Sequence, residues 1–366
     1  MNNVDEVIQV ISVGLVVAGF LLNTNRFLKG VELCKECLFL LKDRAGLRDE
    51  KLSKSFYKRI NFTMWKACSI IRDNTSAIEY ADQLLQIYRE SGERLEEYKL
   101  SIDLVQMYRN QNNYAQAKLL SEKALRISKE LGDRNIEASC YIILGEVFTS
   151  VGEYHKAREH LEKSLVIKKE IGDRNGEASC YTNLGNVYRS VGEYDKAREH
   201  LKKSLVMNKE IGDRNGEESC YTNLGAVYQS IGEYDKAGEQ LEKSLVINKE
   251  IGDRSGEASC YTNLGTVYQS IGEYDKAREH LEKSLVINKE IGDRNGEACC
   301  HTNLGAVCAS VGEYDKAREH LEKSLVIKKE IGDRSGERGC YTNLGIVYIH
   351  QLANITRREN ISRNHL

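Results

Sequence analysis

Apolar residues recur at steps of three and four along residues 174–211, which is the spacing of one face of an α-helix. The first stripe consists of Cys180, Leu184, Val187 and Val191. The second stripe consists of Tyr194, Ala197, Leu201, Ser204 and Leu205. Gly192 and Gly212 follow the two stripes, at the position where a helix end favours a left-handed residue. The pattern predicts two helices joined by a tight turn.

This pattern repeats every forty residues. Cys-Tyr-Thr-Asn-Leu-Gly begins at Cys180, Cys220 and Cys260, and Gly-Asp-Arg returns at 132, 172, 212, 252, 292 and 332. Weaker copies extend upstream with seven residues inserted between Gly30 and Ala77, so we count about eight units and half of a ninth. A helix pair this short cannot bury both stripes alone, whereas stacked pairs share one continuous core. The sequence therefore predicts an all-α solenoid.

The regularity of the repeat divides the chain into three predicted parts. Residues 1–92 form a degenerate helical N-terminal region, residues 94–350 form the regular array, and residues 351–366 form an irregular C-terminal tail. In the tail, Arg357 occupies the slot that holds a small alanine in the other units. The apolar face that is then left uncovered ends in Ile346, Val347, Tyr348 and Ile349. We expect either self-association through this C-terminal end or an improvised cap made by 351–366.

Composition narrows the class of protein. Lysine and arginine number 53 against 55 acidic residues, so the net charge of −2 provides no general attraction to nucleic acid or anionic lipid. The apolar run 7–22 contains Gln9 and Ser12 and follows the acidic residues Asp5 and Glu6, which does not fit a signal peptide. We interpret this run as the first helix of a degenerate unit, with a membrane anchor as the alternative. In both cases we expect the array to be cytoplasmic.

No set of catalytic residues stands out in the sequence. Nearly every polar residue of 134–340 recurs at translated positions, whereas catalysis needs one unique group of unlike side chains. The P-loop, G-x-G-x-x-G, G-x-S-x-G and H-E-x-x-H motifs are absent from the chain. We therefore expect no enzyme activity and no cofactor.

The eleven cysteines follow the repeat rather than a disulfide or metal pattern. Six of them share one slot: Cys140, Cys180, Cys220, Cys260, Cys300 and Cys340. Equivalent helices in a stack lie at least about 8–10 Å apart, whereas a disulfide needs Cα atoms within about 7 Å. We expect these thiols to fill the core in a reducing compartment. The Cys34-x-x-Cys37 pair has no second pair to complete a zinc site, and we expect no metal.

The repeat resembles the tetratricopeptide repeat, whose pattern is W-x2-L-G-x2-Y…A-x3-F…P over about 34 residues. The matching positions here are Tyr181, Leu184, Gly185, Tyr188, Ala197 and Leu201. Tyrosine replaces tryptophan, leucine replaces phenylalanine, and Lys209 stands at the position of the proline. The resemblance implies a right-handed superhelical α-solenoid of helix-turn-helix repeats. The forty-residue period and the Ile-Gly-Asp-Arg linker are similar to LGN-like G-protein-signalling modulators and to tetratricopeptide repeat protein 28-like arrays.

In that family the first helix of each pair lines a concave groove, so the resemblance implies which residues face a ligand. An asparagine ladder consists of Asn183, Asn223, Asn263, Asn303 and Asn343. The further groove positions are Thr182, Asn186, Arg189, Gln229 and Gln269. A carboxamide both donates and accepts hydrogen bonds, so the ladder is suited to the backbone of an extended peptide. The alternative is that each asparagine bonds within its own repeat.

The groove residues favour a protein or peptide ligand. Threonines at 182, 222 and 262 stand where chaperone-tail arrays carry lysines, which argues against binding of Hsp70 or Hsp90 tails. The slots beside the ladder change from polar to apolar along the array, which suits an amphipathic ligand with its charged end towards 146–189. We expect a non-catalytic scaffold for an extended or helical peptide, in cytoplasmic signalling or cortical and cytoskeletal assembly. The alternative is the sensing half of a larger enzyme whose caspase-like protease domain lies outside this chain.

Overall fold

The computed structural model of the protein describes residues 4–43, 50–71 and 73–364. The side chains of 4, 43, 50, 355 and 357–364 lie outside the described part. The predicted role of the Arg357 side chain therefore also lies outside it. The described residues form seventeen α-helices and no strand, which confirms the predicted all-α class. The chain divides into two compact units, Met1–Gly172 and Asp173–Leu366.

The described part of the first unit contains four helix pairs. Their helices are α1 Val4–Asn23, α2 Phe27–Asp43, α3 Glu50–Ile70, α4 Asn74–Ser91, α5 Arg94–Asn110, α6 Tyr114–Leu131, α7 Arg134–Ser150 and α8 Tyr154–Glu170. Each helix packs on the next through its apolar stripe, and Ile11, Ile60 and Met64 are almost completely buried in the core of the first two pairs.

The described part of the second unit contains four more pairs and one further helix. Its helices are α9 Arg174–Ser190, α10 Tyr194–Ile211, α11 Arg214–Ser230, α12 Tyr234–Ile251, α13 Arg254–Ser270, α14 Tyr274–Ile291, α15 Arg294–Ser310, α16 Tyr314–Glu330 and α17 Arg334–Asn364. In each unit the consecutive helices pack as helix-turn-helix repeats. The eight pairs and the half unit agree with the count from the sequence.

The Gly-Asp-Arg motif ends one helix pair and begins the next. Gly212 adopts a φ of +74°, a left-handed conformation that glycine takes without steric cost. Asp213 then caps α11, because its side chain accepts a hydrogen bond of 3.0 Å from the backbone N–H of Gly216. The arginine that follows the capping aspartate forms an ion pair with the end of the second helix of its own pair. In the α7–α8 pair, Arg134 Nη2 lies 2.9 Å from Glu170 Oε2, which connects the start of α7 to the end of α8.

A glycine of the first helix faces a leucine of the second helix in the five pairs from α7–α8 to α15–α16. A β-carbon at Gly185 would lie 2.7 Å from Leu201 Cγ, and a β-carbon at Gly265 would lie 2.7 Å from Leu281 Cγ. The same arrangement recurs at Gly145, Gly225 and Gly305. Only a residue without a side chain leaves room for the leucine, so the two helices approach closely at this point. We call this arrangement the glycine–leucine contact.

The C-terminal residues correct the prediction of an irregular tail over 351–366. Helix α17 continues without a break from Arg334 to Asn364. In the five preceding units a glycine with positive φ follows the first helix, such as Gly272 at +83° and Gly312 at +81°. Leu352 occupies the same slot, and leucine strongly disfavours the left-handed conformation. The chain therefore extends the helix instead of turning into a second one.

Helix α1 forms the first half of the first pair. Its buried side chains are Val7, Ile11, Leu15 and Ala18, which share a core with α2 and α3. The stretch Asp5–Asn23 is also long and apolar enough to cross a membrane, by length and composition alone, and 22% of its apolar window is buried. A core helix meets the same criterion. The packing agrees with a helix of a degenerate unit, and the membrane anchor stays the alternative.

The glycine–leucine contact predicts a large difference between two substitutions. Gly225→Leu adds a side chain where a β-carbon would already lie 2.9 Å from Leu241 Cγ, and we expect it to lower the free energy of unfolding by about 1–3 kcal/mol. Asp235→Ala changes an exposed residue in the first turn of α12 and should cost less than about 0.5 kcal/mol. Chemical denaturation of the purified variants measures both values.

Gly345→Leu is the matched control, because a β-carbon at Gly345 meets nothing within 4 Å. The damage from Gly225→Leu should also stay near α11 and α12, since each repeat of a solenoid contacts only its neighbours. Hydrogen exchange followed by mass spectrometry locates this damage. Equal losses for the two glycine variants at low protein concentration, or a uniform loss of protection along the array, contradict the packing argument.

Candidate functional site

The first helices of the second unit form an inner layer. In this layer α9 contacts α11, α13 contacts α15, and α15 contacts α17, in addition to the contacts of each first helix with its own second helix. On α9, Ser179 and Ser190 are exposed, and Asn183 and Asn186 between them are half-buried. At 100° per residue these positions lie roughly 100–160° around the helix from Gly185, which faces α10. We call this side of α9, α11, α13, α15 and α17 the inner face.

The five asparagines of the predicted ladder occupy equivalent positions on the inner face, and all five are half-buried. Asn223 Nδ2 donates to Ser219 Oγ, one turn earlier on α11, over 3.4 Å. In the part of the chain that the structure describes, the side-chain carbonyl of Asn223 accepts no hydrogen bond. This arrangement keeps hydrogen-bonding capacity on the inner face, and the pairing of the ladder with a peptide stays a prediction.

The structure places Thr182 between the two helices of its pair and not on the inner face, which corrects its predicted position. Thr182 Oγ1 lies 2.8 Å from Ser204 Oγ on α10, and Ser204 donates to the Ala178 carbonyl over 2.8 Å. The same threonine–serine distance of 2.8 Å recurs at Thr222–Ser244, Thr262–Ser284 and Thr302–Ser324. These hydroxyls satisfy buried polar groups inside each pair. Thr182 is therefore removed from the candidate site.

Side chains thirty-seven residues apart connect neighbouring first helices. Arg109 Nη1 on α5 lies 2.6 Å from Glu146 Oε2 on α7. In the second unit, Gln229 Nε2 on α11 donates to Thr266 Oγ1 on α13 over 3.5 Å. Sequence reasoning identified Gln229 but not its partner, because a contact at this spacing depends on how successive repeats are stacked.

Arg189 shares its repeat slot with Arg109 and Gln229, but it lacks a corresponding partner. The residue thirty-seven positions further on is Ala226, whose side chain offers no acceptor. Within the described residues, the enclosed Nε of Arg189 has no hydrogen-bond partner, and neither has the enclosed Oδ1 of Asn186, one turn earlier on α9. A buried polar group without a partner costs about 1–3 kcal/mol. Both atoms are enclosed, so a ligand reaches this place only through the exposed part of the two side chains, each of which is half-buried as a whole.

A cavity of about 470 Å³ opens on the other end of the inner face. The predicted residues Gln269 and Asn343 contribute polar groups to its lining. The apolar part of the lining includes Ala306, Ala309, Ile346 and Val347. His350 also lines the cavity, and sequence reasoning missed it, although it replaces a serine that five other units carry in this slot.

The predicted groove residues of the second unit therefore separate into two places. We call the surroundings of Asn186 and Arg189 the arginine end, and the surroundings of Gln269 and Asn343 the cavity end. Asn223, Asn263 and Asn303 lie on α11, α13 and α15, which lead from the arginine end to the cavity end; α13 and α15 also contribute to the cavity lining. The arginine end offers a cation, and the cavity end offers mainly apolar surface.

The histidines of the second helices pack against aromatic rings of the first helices. The ring centroid of His200, for example, lies 4.9 Å from that of Tyr188. In one unit His301 replaces the tyrosine of the other units, and its Nδ1 lies 3.0 Å from Nδ1 of His320. Burial, reinforced by the neighbouring His320, lowers the pKa of His301 to about 4. Burial also lowers the pKa of His320, so at neutral pH the contact is a neutral histidine pair in which one ring nitrogen donates to the other.

The six cysteines of the shared slot are buried free thiols, as predicted. Burial raises the pKa of the Cys140 thiol to about 11, so this thiol stays protonated at neutral pH. Asn208 Nδ2 donates to Cys220 Sγ over 3.4 Å, and Asn288 Nδ2 makes the same contact with Cys300 Sγ. Among the described residues, no group of three or more His, Cys, Asp or Glu side chains is arranged to hold a metal ion.

Comparison with known families identifies the repeats. A family model described as tetratricopeptide repeat matches residues 96–170, 137–210 and 217–290, and a second model of the same description matches residues 300–335. These matches cover more than half of the chain, so the protein belongs to the tetratricopeptide repeat family. This fold is generally a non-catalytic interaction scaffold. A search of the curated proteins returned no match.

Solved structures share this fold at low sequence identity. A Rap protein complexed with Competence and Sporulation Factor matches with a TM-score of 0.56 and 15% identity over 94% of this chain and 99% of that chain. A STAND signal transduction ATPase with a tetratricopeptide repeat sensor, from Pyrococcus horikoshii, matches with a TM-score of 0.58 and 16% identity over 90% of this chain and 52% of that chain. Aspartyl phosphate phosphatase F from Bacillus subtilis matches with a TM-score of 0.54 and 15% identity over 93% and 95% of the two chains. At these identities the likeness concerns the fold alone.

The neutral histidine pair predicts that acid destabilises the end of the array around α15 and α16. The folded-state pKa of His301, about 4, lies below the value of about 6.5 for an unfolded histidine. The unfolded chain therefore binds protons first as the pH falls, and the contribution of this histidine to stability decreases from about pH 6.5 down to about pH 4. His301→Tyr restores the residue of the other units and should remove part of this decrease.

Urea denaturation at about pH 7.5 and about pH 5 measures this effect as the change in the free energy of unfolding between the two conditions. His155→Gln is the control, since His155 is exposed on α8 and should leave the pH dependence unchanged. If His301→Tyr has the same pH dependence as the unmodified chain, the histidine pair is not its source.

Proposed function

We propose that the protein is a non-catalytic scaffold that binds an extended or helical peptide along the inner face of residues 173–350. The peptide carries an acidic group that meets the arginine end and an apolar side chain that enters the cavity end. We assign this scaffold to the cytoplasm, in signalling or in cortical and cytoskeletal assembly, in line with the resemblance of the forty-residue repeat to LGN-like modulators.

The observation that carries this proposal is the contrast between Arg109 and Arg189. Both arginines occupy the same slot, and in the first unit Glu146 supplies the carboxylate that neutralises Arg109 at 2.6 Å. In the second unit Ala226 stands at the position of the acid, and the enclosed Arg189 Nε is without a partner in the described part of the chain. Glu146 meets Arg109 at Nη1, so we expect a ligand carboxylate to meet Arg189 at the outer end of its guanidinium group. A charged hydrogen bond of this kind is worth about 1.5–3 kcal/mol.

The asparagines between the two ends support a ligand that runs along the array. Asn223, Asn263 and Asn303 stand on α11, α13 and α15, so one carboxamide is available on each successive first helix. Each carboxamide is able to bond a peptide carbonyl and a peptide N–H at the same time. Backbone recognition of this kind depends little on the ligand's sequence, so the two ends supply most of the specificity.

The distance between the two ends sets the spacing of the anchors on the ligand. Successive first helices lie about 8–10 Å apart, and three such steps separate α9 from α15, which gives roughly 24–30 Å. An extended chain covers about 3.3 Å per residue, so the acidic and apolar anchors should be about seven to nine residues apart. The cavity of about 470 Å³ accommodates one large aliphatic or aromatic side chain of the ligand.

A second candidate function is sensing within a larger enzyme. The STAND protein from Pyrococcus horikoshii is described as having a tetratricopeptide repeat sensor, and this chain covers 52% of it. In this case the inner face binds the signal, and a catalytic domain, such as a caspase-like protease, is encoded in a longer transcript. Sequencing of full-length transcripts distinguishes the two candidates.

The asparagine ladder predicts that three substitutions together abolish ligand capture. Peptides are first selected from a random phage-displayed library on the full-length chain, and their affinities are measured by calorimetry. The triple variant Asn223→Ala, Asn263→Ala and Asn303→Ala should bind the selected peptides about 10- to 1,000-fold more weakly, since each lost hydrogen bond is worth about 0.5–1.5 kcal/mol. Helicity and thermal unfolding should stay unchanged.

Asn175→Ser with Asn215→Ser is the matched control, because both asparagines are exposed in first turns and Ser255 occupies their slot in another unit. This control variant should keep the affinity of the unmodified chain. An unchanged affinity in the triple variant would remove the ladder from the proposed function.

Arg189 predicts a preference for acidic peptides. Arg189→Gln removes the charge but inserts a residue that the slot already holds at Gln229 and Gln269, so the fold should tolerate it. Affinity for a selected acidic peptide should fall about 10- to 100-fold, because a charged hydrogen bond is worth about 1.5–3 kcal/mol. A peptide whose acidic residue is replaced by its amide should lose affinity for the unmodified chain and show little further loss with Arg189→Gln.

Arg109→Gln is the control for this prediction, because Arg109 pairs with Glu146 in the first unit. It should leave peptide affinity unchanged. Equal losses for the two arginine variants, or equal losses for the acidic and amide peptides with Arg189→Gln, contradict the assignment of the arginine end.

A further inference from the structure

Helix α17 exposes a side that the other first helices of the array bury against their second helices. Tyr341 is 54% exposed and Tyr348 is 46% exposed. Tyr141 on α7 occupies the repeat position of Tyr341, and Tyr188 on α9 occupies that of Tyr348. Each of these two tyrosines is only 8% exposed. The difference arises because α17 continues past the position of the usual turn, so no second helix of the described chain folds back onto it.

This exposed side contains one half of the glycine–leucine contact without the other. A β-carbon at Gly345 would meet nothing within 4 Å, whereas a β-carbon at Gly305 would lie 2.9 Å from Leu321 Cγ. Leu352 follows Gly345 by seven residues, which is about 20° short of two full helical turns, so both lie on the same side of α17. Leu352 is 64% exposed. Helix α17 therefore carries a glycine and a leucine of the kind that form the glycine–leucine contact in the other pairs. Within the described chain, neither residue has a helix to pack against.

We define the α17 stripe as Tyr341, Gly345, Tyr348, Ile349 and Leu352. We propose that this stripe pairs with the α17 stripe of a second copy of the chain, in antiparallel orientation. A two-fold axis between positions 348 and 349 sets Leu352 of each copy against Gly345 of the other, and Tyr348 against Ile349. The contact is then the same in both directions, as a symmetric dimer interface requires.

Two further observations favour a second copy as the occupant. The helix pairs inside the array are also antiparallel and use the same glycine–leucine contact, so the dimer continues an interface that the fold already repeats. No Asp, Glu, Lys or Arg occurs between Arg338 and Arg357, although such residues make up 30% of the chain. The corresponding positions of the other units continue into a strongly charged second helix, as in 312–320. This uncharged segment is suited to burial between two helices.

The proposed dimer uses the side of α17 next to the inner face and does not depend on the proposed peptide binding. An interface made by one helix from each copy is smaller than the roughly 1,200–2,000 Å² of stable complexes, so we expect a reversible dimer with a dissociation constant of about tens of micromolar. Sedimentation equilibrium of the full chain from about 5 to 200 µM should show the apparent mass rise from 41.5 kDa towards twice this value.

Leu352→Lys tests the interface without disturbing the fold, because Leu352 is exposed in the single chain. It should weaken the dimer about tenfold or more, since it places an unpaired charge in the contact. Ala353→Lys is the matched control: Ala353 is exposed on the same helix, next to Leu352 but outside the α17 stripe and outside the cavity lining. This control should dimerise like the unmodified chain. Circular dichroism at low concentration verifies that both variants fold.

The register is tested by exchanging the two partners of the contact. Gly345→Leu alone sets leucine against leucine and should weaken the dimer about tenfold or more. Gly345→Leu combined with Leu352→Ala sets each new leucine against a small residue of the other copy and should restore most of the association. Alanine is used because it also keeps helix propensity high.

Three outcomes overturn the proposal: an unmodified chain that stays monomeric at all concentrations, a dimer that is unaffected by Leu352→Lys, or a double variant that associates no better than Gly345→Leu. A chain that stays monomeric means that the α17 stripe packs against a different helix, which belongs to a partner protein or to a longer form of this chain. The second and third mean that the copies associate through a different surface or register.

Discussion

The close approach of glycine and leucine inside each helix pair is the constraint on which the rest of the array depends. A β-carbon at Gly185 would lie 2.7 Å from Leu201 Cγ, so the two helices have no freedom to separate or slide without opening a cavity. This contact also brings Ser204 of α10 within 2.8 Å of the Ala178 carbonyl on α9. Because the contact recurs in five pairs, the first helices have nearly the same rotation in each, and the same slots point to the same surfaces.

Polar residues inside and outside the pairs serve different purposes. The threonine, serine and asparagine side chains of the interior bond one another or a buried thiol, which leaves few polar groups without partners between the helices. The outer surface carries ion pairs one turn apart, such as Lys203–Glu199 at 2.6 Å, and exposed pairs of this kind contribute little to stability.

The polar residues of the interior and of the outer surface are nearly invariant between units. Variation is concentrated on the inner face, where Asn186 gives way to Ala226, Thr266 and Ile346 along the chain. The inner face is therefore where recognition of a ligand is able to differ from unit to unit.

A single replacement in the turn changes the last unit. The left-handed glycine between first and second helices lets the chain reverse direction, and Gly312 does this with a φ of +81°. Leu352 in the same slot keeps the backbone helical, so α17 is 31 residues long where the other first helices of the regular array have 17. The leucine that prevents the turn also lies beside the unfilled Gly345 on the exposed side of the same helix. One residue thus removes the internal partner of α17 and supplies the side chain for an external one.

The sequence by itself determined the helix pairs, their number, their turns and the buried cysteines, because these features follow from local periodicity that several near-identical units repeat. It also identified Asn186 and Asn343 on the inner face and Arg189 and Gln269 next to that face, since their slots are marked by position in the repeat. Only the tertiary structure decided that Thr182 lies between helices, that Arg109 meets Glu146, and that Ala309 and His350 share a cavity. Val191, predicted to be buried, is 43% exposed because it follows the last turn of α9. These features depend on the rotation of each helix and on the stacking of successive pairs, and neither is encoded within one repeat.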